Sequence, residues 1–317
     1  PWYSYETVAT TLYVAKEFLI PTLLKKRELS EPSEFLNIVS KVRGYRMAKA
    51  GIEMALWDLK AKLEGKPLYK VLGGARNYII SGISIGIIGD EEALLKAVSK
   101  FLEEGYKRIK IKIKPGWDVH PVKLIRREFG DVPLHVDANA AYTLKDLRVF
   151  KELDEFNLLM IEQPLSYDDL NDHAELQSQL KTPICLDESI KSIYDTKAAL
   201  RLGSCRVINI KPARVGGLTE TKLIHDYAMS KGIPVWIGGM LETGIGRGHL
   251  VAAATLPNIK YPNDIAQSSR YWEEDIVEPP WTLNKDGTIS TTEKPGIGVE
   301  VLTERLNKYT RTRIEFR

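Results

Sequence analysis

The runs RIKIKI (108–113), LHVDAN (134–139), LLMIEQP (158–164), PICLDES (183–189) and RVINIKP (206–212) decide the fold. Each is short and apolar, and each carries a reactive side chain near its end: Lys112, Asp137, Glu162, Asp187 and Lys211. These five residues are spaced 25, 25, 25 and 24 apart. Between the runs lie segments of helical period. A parallel strand needs a crossover of a dozen or more residues before the next strand, and a helix usually supplies it. The spacing therefore predicts a repeated strand-helix unit with chemistry at the same place in each copy.

Working outward, SGISIGII (81–88) reads as a strand before this block and PVWIGG (234–239) as one after it. IKYPNDI (259–265) reads as a weak eighth strand, short or irregular because of Pro262. The expected fold is α/β, a TIM-like (β/α)7β barrel over 76–276. Residues 1–75 lack strands between their helical segments (5–26, 33–43 and 45–65) and read as a capping layer. A hairpin signal at Asn284–Gly287, between TL and TIS, makes the capping part α+β, with the tail 277–317 packing back on the N-terminal helices. The chain opens at Pro1 in a helix-like segment, and an N-terminal piece is expected to precede it.

In such a barrel every strand's C-terminal end opens on one face, where active sites lie. Asp137, Glu162 and Asp187 then converge from neighbouring strands. Unpartnered, they would resist ionising together. A divalent cation resolves this, and oxygen ligands alone favour a hard ion: Mg²⁺, with Mn²⁺ as an alternative. Salt bridges to nearby lysines are the competing explanation. Lys110 and Lys112 share one strand face, and two ammonium groups side by side would depress each other's pKa and favour a neutral amine, as a base requires. Lysines guarding a solvated edge strand are the rival reading, which a closed barrel removes. The second and sixth strands are opposite in a ring of eight, so Lys112 and Lys211 would flank a bound substrate. Two opposed bases suit proton removal and return. One base with a metal suits abstraction of a proton α to a carboxylate, followed by elimination.

The remaining signals are weaker. Gly216-Gly217 and Gly244-Ile245-Gly246 could hold an anion at a helix start, or simply make tight turns. His135 lies on the face of Asp137, two residues deeper, and reads as a polar group of the barrel core. The net charge of +3 over 317 residues gives no reason to expect nucleic acid or membrane partners. The two cysteines, Cys185 and Cys205, form no metal-binding spacing. No apolar run has membrane-spanning length and no signal peptide is visible, so a reduced cytoplasmic setting is expected.

Lys110-Ile-Lys112, Val136-Asp-Ala-Asn139, Ile161-Glu-Gln-Pro164, Leu186-Asp-Glu-Ser189 and Asn209-Ile-Lys-Pro212 together resemble the enolase superfamily, in its muconate-lactonizing subgroup. Within that subgroup NIKPARVGG (209–217), IPVWIGGMLETGIGR (233–247) and YRMAKAGIEMALWD (45–58) resemble o-succinylbenzoate synthases and N-succinylamino acid (N-acylamino acid) racemases. The resemblance implies Mg²⁺ on Asp137, Glu162 and Asp187, with Glu188 behind them, and Lys112 and Lys211 as the acid/base pair. It further implies that Lys110, Asn139 and Ser84 hold the substrate carboxylate and that Gly239, Met240 and Leu241 line the succinyl side.

The implied activity is dehydration through an enediolate in menaquinone synthesis, or racemisation by the same lysines. A homo-oligomer is expected, with Trp2, Tyr3 and Leu12 as apolar contacts. Gly238-Gly239-Met240 lacks the histidine of mandelate racemases, and Asp264-Ile-Ala266 lacks the Asp-x-Asp of dipeptide epimerases. The family's N-terminal strand meander, whose mobile loop closes the site, has no counterpart in this numbering. A silent barrel that only binds is the alternative from another class.

Overall fold

The computed structural model describes residues 3–26 and 28–316, so Trp2 lies outside the described residues. Its centre is a seven-stranded parallel sheet in sequence order: β2 (Ile83–Ile85), β3 (Ile109–Lys112), β4 (Leu134–Asp137), β5 (Ile161–Glu162), β6 (Ile184–Leu186), β7 (Val207–Ile210) and β8 (Val235–Ile237). One short strand precedes it, β1 (Tyr78–Ile80). The alternation in β3 shows why the sheet closes. Ile109 and Ile111 face the surrounding helices, while Lys110 and Lys112 face the barrel interior.

The segment 259–264 occupies the eighth position. It hydrogen-bonds β8 through Lys260 N–H to Val235 O (3.0 Å) and Asp264 N–H to Ile237 O (3.0 Å). It reaches the other edge through Asn263 N–H to Ile80 O (2.9 Å) and Gly82 N–H to Asn263 O (2.8 Å). Pro262 keeps it from being a regular strand, as expected, yet both edges of the sheet are covered.

Several elements are shorter than their sequence signals. Of 81–88 only Ile83–Ile85 is strand, flanked by Gly82 and Gly86. Of 158–164 only Ile161–Glu162 is strand, and Pro164 follows immediately. The long helix runs Arg46–Leu63, while 33–43 yields one turn and a half, Glu34–Ile38. The segment 5–26 is helical over Val8–Leu24, with a π-turn at Ala15–Leu19 just before Pro21, where the proline interrupts regular bonding. Thr143 and Asp146 form a capping box, leading through a 3₁₀ turn into helix Leu147–Leu153.

The C-terminal hairpin is a correction. The turn exists, with Asn284 N–H on Thr288 O at 2.8 Å. The strand after it, β10 (Thr288–Ser290), pairs antiparallel with β1 and not with residues 282–283. The remaining strands, β9 (Val277–Glu278) and β11 (Glu300–Val301), pair with each other. The tail also meets the N-terminal helices, through Ile297 N–H to Asp58 Oδ1 (2.7 Å) and Leu68 N–H to Gly296 O (2.8 Å).

Among the described residues three apolar clusters hold this together, the smallest made of Met160, Cys185, Val207 and Trp236. The large one joins barrel strands and helices, and Met54 and Trp57 of helix Arg46–Leu63 belong to it. A small second core of Val14, Leu19, Phe35, Val39 and Ala48 lies within the cap. Helix Arg46–Leu63 thus contributes to the large core and to that of the cap. Glu53, fully buried on it, accepts hydrogen bonds from Leu218 N–H (2.7 Å), Thr219 N–H (2.9 Å) and Trp57 Nε1 (2.8 Å). It therefore caps helix Leu218–Ser230, whose start at Gly216-Gly217 is a tight left-handed turn (φ +107° and +118°). The anion at that helix start is an internal carboxylate, which settles the Gly216-Gly217 signal as a turn.

Candidate active site

The five residues of the repeat meet at the mouth of the barrel. Asp137 and Glu162 are direct register partners on β4 and β5. Asp187 follows β6 two residues after Cys185, the partner of Glu162, so it projects from the same face. All three carboxylates are buried, and each is met by cations. Lys112 Nζ donates to Asp137 Oδ2 (2.6 Å) and Lys211 Nζ to Asp187 Oδ2 (2.8 Å). Lys110 Nζ lies 3.0 Å from Glu162 Oε2, 3.4 Å from Asp137 Oδ2 and 2.5 Å from Asp264 Oδ2.

This geometry corrects the expectation that Lys110 is depressed by its neighbour. Lys110 is buried among three internal carboxylates. Burial pulls its pKa down, but the charges of Asp264, Glu162 and Asp137 outweigh burial and raise it. The same contest ends the same way at Lys211, where Tyr3 and the charges of Glu162, Glu188 and Asp137 outweigh burial. At Lys110 the expected depression fails because carboxylate oxygens stand within 3.4 Å of its ammonium. Lys110 is held by these partners and still lines the cavity at the barrel mouth.

A cavity of about 350 Å³ opens beside them, lined by Ser84, Lys110, Lys112, Lys211, Gly239, Met240 and Leu241, with Tyr3, Asp264 and Tyr271 closing its walls. Ser84 is the register partner of Lys110. Gly238 permits the close approach of strands here, since a Cβ would sit 2.2 Å from Asn209 Oδ1 and 2.8 Å from Lys211 Cε. Asn139, expected beside Ser84, lines a neighbouring cleft of about 360 Å³ with Glu188, Arg46 and Lys191. The left-handed backbone at Asn139 (φ +42°) turns its side chain to Lys112 Nζ (2.5 Å) and Glu188 Oε1 (2.9 Å).

Behind the carboxylates stand further groups, of which strand parity singles out His135 alone. Glu162 accepts from Asn209 Nδ2 (2.7 Å) and contacts His135 Nε2 (3.1 Å). Burial first, then Arg108, hold His135 down at a pKa of about 4, so it is a neutral core group as expected. Arg108 is fully buried and pairs with Asp264 at 2.6 Å, over the Trp236 ring. Arg214 contacts Asp187 Oδ1, and Tyr3 Oη donates to that same oxygen (2.9 Å) while its ring lies 4.3 Å from Lys211 Nζ. Tyr3, Arg214 and Asp264 come from a cap segment, a helical turn and an irregular strand. None had a periodic signal.

Among the described residues no three acidic or imidazole groups already form an open metal cage, because lysines and Arg214 lie on the carboxylate oxygens. The donors nevertheless fit a hard cation. They are three oxygen ligands on adjacent strands, and Glu188 Oε2 beside them is buried without a partner. Burial, and then the charge of Asp137, raise the Glu188 pKa.

The enolase C-terminal domain-like family matches residues 93–305, and the mandelate racemase/muconate lactonizing enzyme N-terminal domain matches 4–73. The chain belongs to the enolase superfamily. An o-succinylbenzoate synthase of Geobacillus kaustophilus is 52% identical over 310 residues, covering 98% of this chain and 82% of that protein. An N-succinylamino acid racemase of Thermus thermophilus is 49% identical over 301 residues, covering 95% and 81%. A solved enolase superfamily structure from Listeria innocua superposes with a TM-score of 0.94 at 43% identity, covering 98% of this chain and 83% of that one. The superfamily barrel and its cap thus frame the site described above. No helix among the described residues is long and apolar enough to cross a membrane.

Proposed function

We propose that this member of the enolase superfamily is an o-succinylbenzoate synthase dependent on Mg²⁺, acting on a succinyl-bearing carboxylate, with N-succinylamino acid racemisation as a second activity of the same site. The observation that carries this reading is that Lys112 on β3 and Lys211 after β7 line one cavity beside three carboxylates. The similarity to both kinds of enzyme supports it.

Asp137, Glu162 and Asp187 would hold Mg²⁺, which supplies positive charge against the substrate carboxylate. The lysines handle the proton. In the dehydration, one Nζ takes the proton from the carbon α to the carboxylate and hands it to the substrate's hydroxyl, which departs as water. The opposite ammonium stays charged and stabilises the negative charge that develops. In racemisation, one Nζ removes the proton and the other delivers one to the opposite face. Lys112 is the more exposed of the two, with 27% of its side chain accessible against 10% for Lys211. Met240 and Leu241 give the succinyl arm an apolar wall.

The test is α-proton exchange. In D₂O with Mg²⁺, Lys112→Ala and Lys211→Ala should each abolish racemisation of N-succinyl amino acids. Each should still wash deuterium into one enantiomer, a different one for each variant. Exchange of both enantiomers by either single variant refutes the opposed bases. Dehydration by the wild type, assayed side by side, decides which activity leads.

The cap presents exposed apolar side chains, Val8, Leu12, Phe18 and Leu63, and a homo-oligomer is part of the same reading.

A further inference from the structure

Gln163 follows Glu162 in sequence, yet its fully buried side chain serves the next strand. In a parallel ladder the rung after Gln163 N–H to Cys185 O (2.9 Å) would run from Asp187 N–H to the Gln163 backbone carbonyl. That carbonyl is turned away. The backbone at Gln163 is left-handed (φ +37°), and its oxygen accepts from Ala140 N–H (2.8 Å) instead. The side-chain Oε1 takes over the missing rung, accepting from Asp187 N–H (3.0 Å) and Ser189 N–H (3.2 Å). At its other end Nε2 donates to Ser189 Oγ (2.8 Å) and Leu165 O (3.2 Å). Only an amide offers an acceptor to two N–H groups and a donor to a carbonyl at once. A carboxylate would set lone pairs against Leu165 O. The left-handed backbone costs free energy in a residue with a Cβ, so the surrounding bonds must hold it.

We infer that Gln163 is a positioning residue for Asp187. Its amide extends the β5–β6 ladder by one rung beyond the end of β5 and fixes the backbone from which that carboxylate projects. This rests on the reading of Asp187 as a Mg²⁺ ligand.

The experiment is calorimetric titration of Mg²⁺ into the full chain, well below the melting temperature, for the wild type, Gln163→Glu and Gln163→Gly. Both variants should bind Mg²⁺ roughly 10- to 100-fold more weakly, as loss of a group that orients a ligand does elsewhere. The glycine variant relaxes the backbone but lacks the amide. If it, or a folded Gln163→Glu, keeps the wild-type affinity within about twofold, well short of that loss, the positioning role is overturned. Where neither variant folds, Ser189→Ala, which removes one partner of the amide, replaces them. A several-fold loss supports the role and unchanged affinity overturns it. A wild type that takes up no Mg²⁺ sinks the metal reading itself, and is distinguished by that control.

Discussion

At the scale of single residues, Asp187 is the carboxylate tied to the most distant segments of the chain. It meets Lys211, Arg214 and the Tyr3 hydroxyl. Asp187→Asn keeps the shape and removes one charge from an oxygen-ligand set, and a hard cation binds chiefly through ligand charge. The expected outcome is loss of saturable Mg²⁺ binding and of activity, with the circular dichroism spectrum unchanged. Titration calorimetry showing wild-type affinity would remove Asp187 from the ligand set.

Four histidines are held down by burial, His135, His173, His225 and His249, and two of them show at the same scale how a pH response arises. His225 Nε2 accepts from Asn258 N–H (2.9 Å) and its Nδ1 faces Asp226 Oδ1 (2.8 Å); His173 Nε2 accepts from Leu165 N–H (3.2 Å) and its Nδ1 faces Asp169 Oδ2 (2.9 Å). An Nε2 that accepts must be unprotonated, so both rings are held neutral. Burial lowers each pKa, and the facing aspartates only partly offset it. In the unfolded chain a histidine takes its proton near pH 6.5. The unfolded state therefore binds more protons below that point, and stability is lost as pH falls from about 6.5 toward each depressed value. Each histidine adds a slope of about 1.4 kcal/mol per pH unit within its window. Urea melts at pH 7.5, 6.5 and 5.5 should show this fall, and His225→Gln, whose amide can mimic both bonds, should lessen it by one histidine's share. An equal slope in the variant would exclude His225 as a source.

At the scale of elements, the decisive contact is helix Arg46–Leu63 against the start of helix Leu218–Ser230. Glu53→Ala leaves Leu218 N–H, Thr219 N–H and Trp57 Nε1 without this partner, though Trp57 keeps Thr219 Oγ1 at 3.0 Å. Orphaned buried donors cost about 1–3 kcal/mol each, so a loss of about 3 kcal/mol is expected by chemical denaturation. A change below about 1 kcal/mol, the cost of one weak hydrogen bond, would mean that the cap is held by packing alone. The element scale is also where the sequence was easiest to read. The strands of the repeat lie where the apolar runs stand, because a parallel strand buried on both faces has to be apolar and β-branched. Their lengths were not legible. Leu158–Met160 has the composition of a strand, yet no neighbour pairs with it regularly, and pairing rather than composition makes a strand.

At the scale of the whole molecule, the cap's exposed surface carries Val8 (87% exposed) and Leu63 (80% exposed). Burying such side chains is worth about 1.5–3 kcal/mol each, which makes self-association the expected outcome. Light scattering should give at least twice the monomer mass at micromolar concentration; a clean monomer would refute it.

Sequence by itself determined the barrel, its polarity and five of the groups at its mouth. The period of about 25 residues leaves a strand-helix unit little freedom, and alternation dictates which side chains turn inward. Tertiary structure alone decided what those groups touch. Asp264 reaches Lys110 from an irregular strand, Tyr3 and Arg214 reach Asp187 from a cap segment and a helical turn, and Gln163 crosses to the next strand from a left-handed backbone. None of these follows a local period. A charge's state depends on the nearest opposite charge in space, and proximity between distant segments is created only when the chain closes on itself.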